Sequence, residues 1–323
     1  MKKLFSTIIC CLICSTAFMQ VKPEWQDETI PFVGKEYPRT AFMTYSDVDK
    51  ARSNDFNTSF DYKSLNGKWK FNWVSSYKKR PVNFYKTDFD DSAWNEIEVP
   101  ANWEINGYGN ALYTNHPYEF CPRNPQPPLL PEENPVGSYR KYIEIPEQWN
   151  GKEIFLHIGA VKSGCYLYVN GTKIGYSEDS KDAVEYNTTR YLKPGRNLIA
   201  LEVYRWSTGS YLECQDFWRI SGIERDVYLF AQLPLHLRDF SIRQDLDSTY
   251  KNGLFGLDLF MENTNPRQPG QVTVFYQLEN TSGTRVAEGT QTIKIDSATT
   301  VHFEAKIPQV APWTAETPNL YQL

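Results

Sequence analysis

Two carboxylates suffice to hydrolyse a glycosidic bond. One is protonated and the other acts as nucleophile or base, and they stand roughly 5–9.5 Å apart. The chain offers Glu178-Asp179, Asp182, and Glu213 with Asp216 as candidates. Spacing alone does not choose among them, because acids are common on surfaces, where they are solvated or pair locally. The four histidines, His116, His157, His236 and His302, are scattered without metal-ligand spacing. There is no G-x-S-x-G elbow and no phosphate-binding loop, and Gly107-Tyr108-Gly109 lacks a third glycine and a βαβ setting. One stretch is denser than an ordinary loop: Arg205-Trp206-Ser207-Thr208-Gly209-Ser210-Tyr211-Leu212-Glu213-Cys214-Gln215-Asp216-Phe217-Trp218-Arg219. Its arginines and acids can pair with one another, which is the structural reading. Carboxylates and amides beside tryptophan faces also suit the hydroxyls and C–H faces of a sugar.

The elements that would position these residues are strands. Ile154, Leu156 and Ile158 alternate within 153–161. Cys165, Leu167 and Val169 share one face, with Tyr166 and Tyr168 on the other. Asn170-Gly171 then gives a two-residue hairpin signal leading into 173–176. Ile199, Leu201 and Val203 mark an inward face over 198–205, and 225–231 reads as a further short strand. No long amphipathic helix is visible between Ser64 and Ala231. This pattern predicts a β-sandwich. A boundary is expected near 232–235, at Pro234. Beyond it three strands alternate cleanly, through Phe255–Met261, Val272–Leu278 and Val301–Ile307, as in an immunoglobulin-like sandwich. The run 319–323 reads as a strand just beginning. A sandwich without its closing strand leaves an unpaired edge, so the natural protein is expected to continue.

Composition bounds the rest. With 323 residues, two domains are the natural expectation. A net charge of −5 gives no electrostatic footprint for nucleic acid. Aromatics reach 15%, a proportion that strands and sugar sites both favour. Lys2 and Lys3 precede an apolar run from Leu4 to Phe18, and Ser15-Thr16-Ala17 near its end supplies small residues for a cleavage site. That is a secretory signal peptide, too short to span a membrane, with cleavage expected between 17 and 20. Its removal leaves Cys121, Cys165 and Cys214, an odd set that makes no disulfide framework.

The run Arg205–Val227 resembles the N-terminal sugar-binding domain of β-galactosidases of glycoside hydrolase family 2. So do Leu65-Asn66-Gly67-Lys68-Trp69-Lys70-Phe71, Val99-Pro100-Ala101-Asn102-Trp103, Tyr113-Thr114-Asn115 and Glu133-Asn134-Pro135-Val136-Gly137, in the same order. The resemblance covers the chain from about residue 24 onward. It implies an all-β fold: a galactose-binding-like jelly roll at 21–232 after a leader at 1–20, then an immunoglobulin-like domain at 233–323 truncated at its last strand. In the family a TIM barrel follows and supplies both catalytic glutamates of a retaining mechanism. No stretch here resembles the barrel, so the resemblance names no catalytic residue in this chain. It does imply that Asn115 and Asp216 contact galactose hydroxyls and that Asp216 helps ligate sodium. The resemblance further implies magnesium as a cofactor of the full-length protein.

The expectation is therefore the front of an exported, β-galactosidase-like glycosidase acting on β-galactoside glycans. It would have no nucleic-acid partner and no membrane span, would form a homo-oligomer when full-length, and would be inactive as this fragment. Glucuronidases and mannosidases share the fold, but the 205–219 stretch looks more like the galactosidases. A stand-alone carbohydrate-binding module is the alternative, and a purely structural or adhesive β-protein leaves the 205–219 cluster unexplained.

Overall fold

The structure, a computed structural model, describes residues 22–323 apart from 116, 117, 122, 214, 266, 268 and 269. The expected leader at 1–20, its cleavage point, His116 and Cys214 lie outside the described residues. Among the described residues the one α-helix is Val48–Ser53. The Asp47 carboxylate caps it by accepting from the Lys50 backbone N–H, and Asn54 ends it at φ 49°.

Strands make up the rest of the framework, and in the first domain they form a jelly-roll sandwich. One sheet has seven strands, in the spatial order Phe32–Val33, Thr172–Ser177, Gly164–Val169, Gly195–Tyr204, Val136–Ile145, Gly67–Val74 and Asn95–Val99. The facing sheet runs Val184–Asn187, Glu153–Ile158, Val227–Gln232 and Tyr62–Ser64. Strands distant in sequence lie side by side, so the chain crosses repeatedly between the sheets.

Alternation decides which side chains meet. Cys165, Leu167 and Val169 pack with Ile199, Leu201 and Val203 against Ile154, Leu156, Ile158 and Leu229 in one core, as the sequence pattern predicts. Tyr166 and Tyr204 turn to the other face. There Trp25 covers them, its ring stacked 4.7 Å from that of Tyr204. Both faces of Gly195–Tyr204 are thus covered, and the strand is buried from Asn197 onward. The hairpin signal holds: Asn170 at φ 49° and Gly171 at φ 87° make the left-handed pair that a two-residue turn needs. The strand expected at 225–231 instead starts at Val227, because the Asn66 side chain takes up the Val227 N–H and donates to Asp226.

The second, immunoglobulin-like sandwich sets Leu235–Leu246, Gly253–Asn263 and Ala298–Ile307 against the pair Gly270–Glu279 and Arg285–Ile295. Leu257, Tyr276, Leu278, Val301 and Phe303 fill the space between them. The run 319–323 makes a single antiparallel bridge, Gln322 to Glu279, rather than a strand.

A strap at 36–44 ties the two sandwiches together. The Thr40 backbone N–H donates to Asp239 Oδ1 at 2.9 Å, Arg238 donates to the Tyr37 carbonyl at 2.6 Å, and Phe42 sits edge-on to Phe240. Its anchor is Arg39, which forks onto both Glu185 oxygens at 2.9 and 3.0 Å. His157 Nδ1 lies 2.9 Å from Glu185 Oε1. Burial pushes the Glu185 carboxyl up, but His157 and Arg39 together outweigh it and hold it below its ordinary 4.5. A carboxyl depressed by folding adds stability above its unfolded value, and that stability is lost as pH falls through the folded one. Glu185→Gln is therefore expected to flatten the fall in urea midpoint between about pH 5 and pH 3. An unchanged acid slope would remove Glu185 from the acid response.

Candidate functional site

The buried strand Gly195–Tyr204 delivers Arg205 to the edge of the first sandwich. Arg205 Nη1 pairs with Glu104 Oε1 at 2.9 Å, and the Glu104 side chain is wholly buried. Arg205 Nη2 donates to two carbonyls, Asn110 at 3.2 Å and Arg219 at 3.1 Å. The second oxygen of Glu104 accepts the Ser221 N–H at 2.8 Å. Burial pushes the Glu104 carboxyl up, against the pull of Ser221 and Arg205, and pushes the Arg205 guanidinium down. The guanidinium still stays charged in water-bathed proteins. This pair therefore serves to hold geometry, pinning the chain on both sides of the stretch singled out in the sequence.

After Arg205 the chain makes a short turn, Thr208–Tyr211, closed by a reciprocal capping box between Ser207 and Ser210. It then returns as Phe217–Arg219, which pairs antiparallel with Leu112–Thr114. Phe217 stands opposite Thr114. Asn115 follows Thr114 and Asp216 precedes Phe217, so the register brings these two predicted residues to adjacent positions at one end of the ribbon. Both are exposed. The Tyr113 hydroxyl donates to Asp216 Oδ1 at 2.8 Å. Tyr113 and Trp218 meet edge-to-face at 5.6 Å. Tyr113, Phe217 and Trp218 are 60%, 53% and 52% exposed, a large aromatic area for a free surface.

Beneath the ribbon, Glu119 Oε1 accepts from Trp206 Nε1 at 2.9 Å and its Oε2 lies 3.5 Å from Arg219 Nε. Of the other candidate acids, Glu178 and Glu213 are committed to the scaffold, while Asp179 and Asp182 are exposed. Glu178 accepts from Thr208 at 2.7 Å and from Tyr176 at 3.0 Å. Glu213 turns to Ser180, accepting from its N–H at 2.9 Å and its hydroxyl at 2.5 Å. Burial pushes its carboxyl up even so. Asp179 Oδ1 accepts the Asp182 backbone N–H at 3.4 Å. His157, His236 and His302 are held by Glu185, the Leu233 carbonyl and Asp258 respectively. Cys165 is buried, with its thiol pushed far up by that burial.

The ribbon thus presents a carboxylate, an amide and aromatic faces together. That set can hydrogen-bond hydroxyls and pack on C–H faces, which is recognition rather than bond cleavage. Sequence reasoning missed Tyr113 as a partner of Asp216 and Glu104 as a partner of Arg205. Tyr113 lies two residues before Asn115 in the same motif, Tyr113-Thr114-Asn115, so a sequence signal for it exists. Glu104 directly follows another motif, but nothing in its spacing points to Arg205. Asp216 offers a hard oxygen of the kind sodium takes. Among the described residues no group of three or more His, Cys, Asp or Glu side chains converges on a metal position. No helix of the described residues is long and apolar enough to cross a membrane.

Residues 62–234 match the sugar binding domain of glycosyl hydrolases family 2, and residues 235–323 match a second model of glycosyl hydrolases family 2. A beta-galactosidase of Priestia megaterium is 36% identical over 306 residues, covering 93% of this chain and 30% of that protein. One from Halalkalibacterium halodurans is 38% identical over 262 residues, covering 80% of this chain and 25% of that protein. The chain thus spans less than a third of the length of these relatives. Among solved structures, a Bacteroides uniformis beta-glucuronidase superposes with a TM-score of 0.65 at 22% identity, covering 80% of this chain and 29% of that one. At that identity the likeness shows the fold.

Proposed function

The chain belongs to glycoside hydrolase family 2, and from that membership we propose that it forms the N-terminal region of a retaining β-galactosidase acting on terminal β-galactosides. The observation that carries this reading is the placing of Asn115 beside Asp216 at one end of an exposed aromatic ribbon. The relatives at 36% and 38% identity are beta-galactosidases, which favours galactosides over glucuronides. In this role the chain binds sugar hydroxyls through Asp216 and Asn115 and contributes no acid or nucleophile. Asp216 also supplies one oxygen to a sodium ion, whose remaining ligands come from outside these residues. Magnesium is a second ion of the longer protein.

Export is part of the proposal, resting on the basic and apolar run at 2–18. So is self-association of the longer protein. The exposed Tyr113, Phe217 and Trp218 also support a second reading, a carbohydrate-binding module that works alone.

The two readings separate in one assay. The full-length protein is expected to hydrolyse an aryl β-galactoside, while residues 22–323 alone turn over none and show no saturable galactoside binding below about 10 mM, because a half-site lacks the concave burial that gives affinity. Saturable millimolar or tighter binding by 22–323 alone would favour the module. Failure of the full-length protein to hydrolyse the galactoside would overturn the enzyme reading.

A further inference from the structure

The hydrogen bond between Tyr113 and Asp216 spans an exposed ribbon, where water could serve both groups equally well. A net gain in folding stability therefore does not account for it. What it does fix is direction. An ionised carboxylate only accepts, and a phenol offers one proton. With the Tyr113 proton on Oδ1, the Asp216 carboxylate is held in one rotation about its own axis. No described residue donates to Oδ2. The Tyr113 ring is itself held, edge-on to Trp218 at 5.6 Å and directly across the ribbon from it. Trp218 is in turn bracketed by Phe217 and by Arg219, whose carbonyl Arg205 grips. The line from the buried Arg205–Glu104 pair to the exposed carboxylate is thus continuous through named contacts.

We infer that Tyr113 is the positioning residue for Asp216: it takes up one carboxylate oxygen so that the other is presented in a fixed direction to a polyhydroxylated ligand. The inference rests on the proposed role of Asp216 in sugar contact. Pre-orientation removes the rotational freedom that binding would otherwise have to freeze, so its loss appears in affinity. In the proposed function the acids that break the bond come from outside these residues, so the loss is expected in KM and not in kcat.

The test is a double-mutant cycle in the full-length protein with an aryl β-galactoside, using Tyr113→Phe, Asp216→Asn and the pair. Phenylalanine keeps the ring on Trp218 and removes only the hydroxyl. Tyr113→Phe is expected to raise KM about threefold to tenfold at a kcat within about twofold, the scale of one hydrogen bond. In the Asp216→Asn background the same change is expected to add less than about twofold, since the amide can still accept from Tyr113 but no longer makes the charged contact that Tyr113 directs. If Asp216→Asn is itself without effect, the proposed function fails before this inference is reached. If Asp216→Asn weakens the enzyme and Tyr113→Phe leaves KM unchanged, or lowers kcat instead, or acts equally in both backgrounds, the positioning role is overturned.

Discussion

Replacing Arg205 by methionine is expected to destabilise the first sandwich by about 3–5 kcal/mol, the cost of stranding one partner of a buried ion pair. Glu104 is left without its counter-charge, in a position where its side chain has no exposure at all. Two carbonyls, those of Asn110 and Arg219, lose a donor in the same change. Burial already drives the Glu104 carboxyl up while Arg205 is present, so removing the guanidinium makes its ionised form less tenable still. Converting both residues to methionine removes the stranded charge as well, and most of the lost stability is expected to return. The ribbon is not expected to recover with it, because the carbonyls of Arg219, at the end of one strand, and of Asn110, just before the other, still lack the arginine. Urea midpoints read the first effect, and amide hydrogen exchange at 112–114 and 217–219 reads the second. A loss under about 1 kcal/mol for the single change, or full recovery of ribbon protection in the double one, would remove this pair as the support of the site.

The second large effect is functional. Asp216→Asn in the full-length protein is expected to lower kcat/KM for an aryl β-galactoside by about tenfold to a hundredfold, the range for losing a hydrogen bond to a charged group. The response to added sodium is expected to shrink with it, since an amide oxygen is a weaker ligand for a hard cation than a carboxylate. Folding is expected to be unaffected within about 0.5 kcal/mol, because Asp216 is exposed and, among the described residues, hydrogen-bonds to Tyr113 alone. The contrast with Arg205→Met is what makes the two informative as a pair: one unfolds the platform, the other disables a platform that remains standing. A kcat/KM within about twofold of the parent, with the sodium response intact, would detach Asp216 from the sugar.

Much of the fold was legible because strand alternation is a local signal. Cys165, Leu167 and Val169 separate from Tyr166 and Tyr168 by period alone, and the structure puts the two sets on opposite faces. The turn at Asn170-Gly171 follows from backbone sterics. What the period could not show is why Gly195–Tyr204 is buried on both sides. The cover there is Trp25, whose contact with Tyr204 spans most of the first domain. The site divides in the same way. Asn115 and Asp216 were reached through motif resemblance, and the strand register then accounts for their adjacency. Glu213, three residues before Asp216, serves Ser180 instead. Side-chain direction in a loop depends on which partner the tertiary fold provides, and no local pattern encodes that. The Arg205–Glu104 pair is the clearest case, for its partners come from segments that only the folded sandwich brings together.

The most direct test of the account is a structure of the full-length protein with a slowly hydrolysed β-galactoside bound. Asp216 and Asn115 are expected within about 3 Å of sugar hydroxyls, hydrogen-bond distance, with Tyr113 still on Asp216 Oδ1. A sugar seated with both residues more than about 6 Å away, too far for even a water-bridged contact, would contradict it.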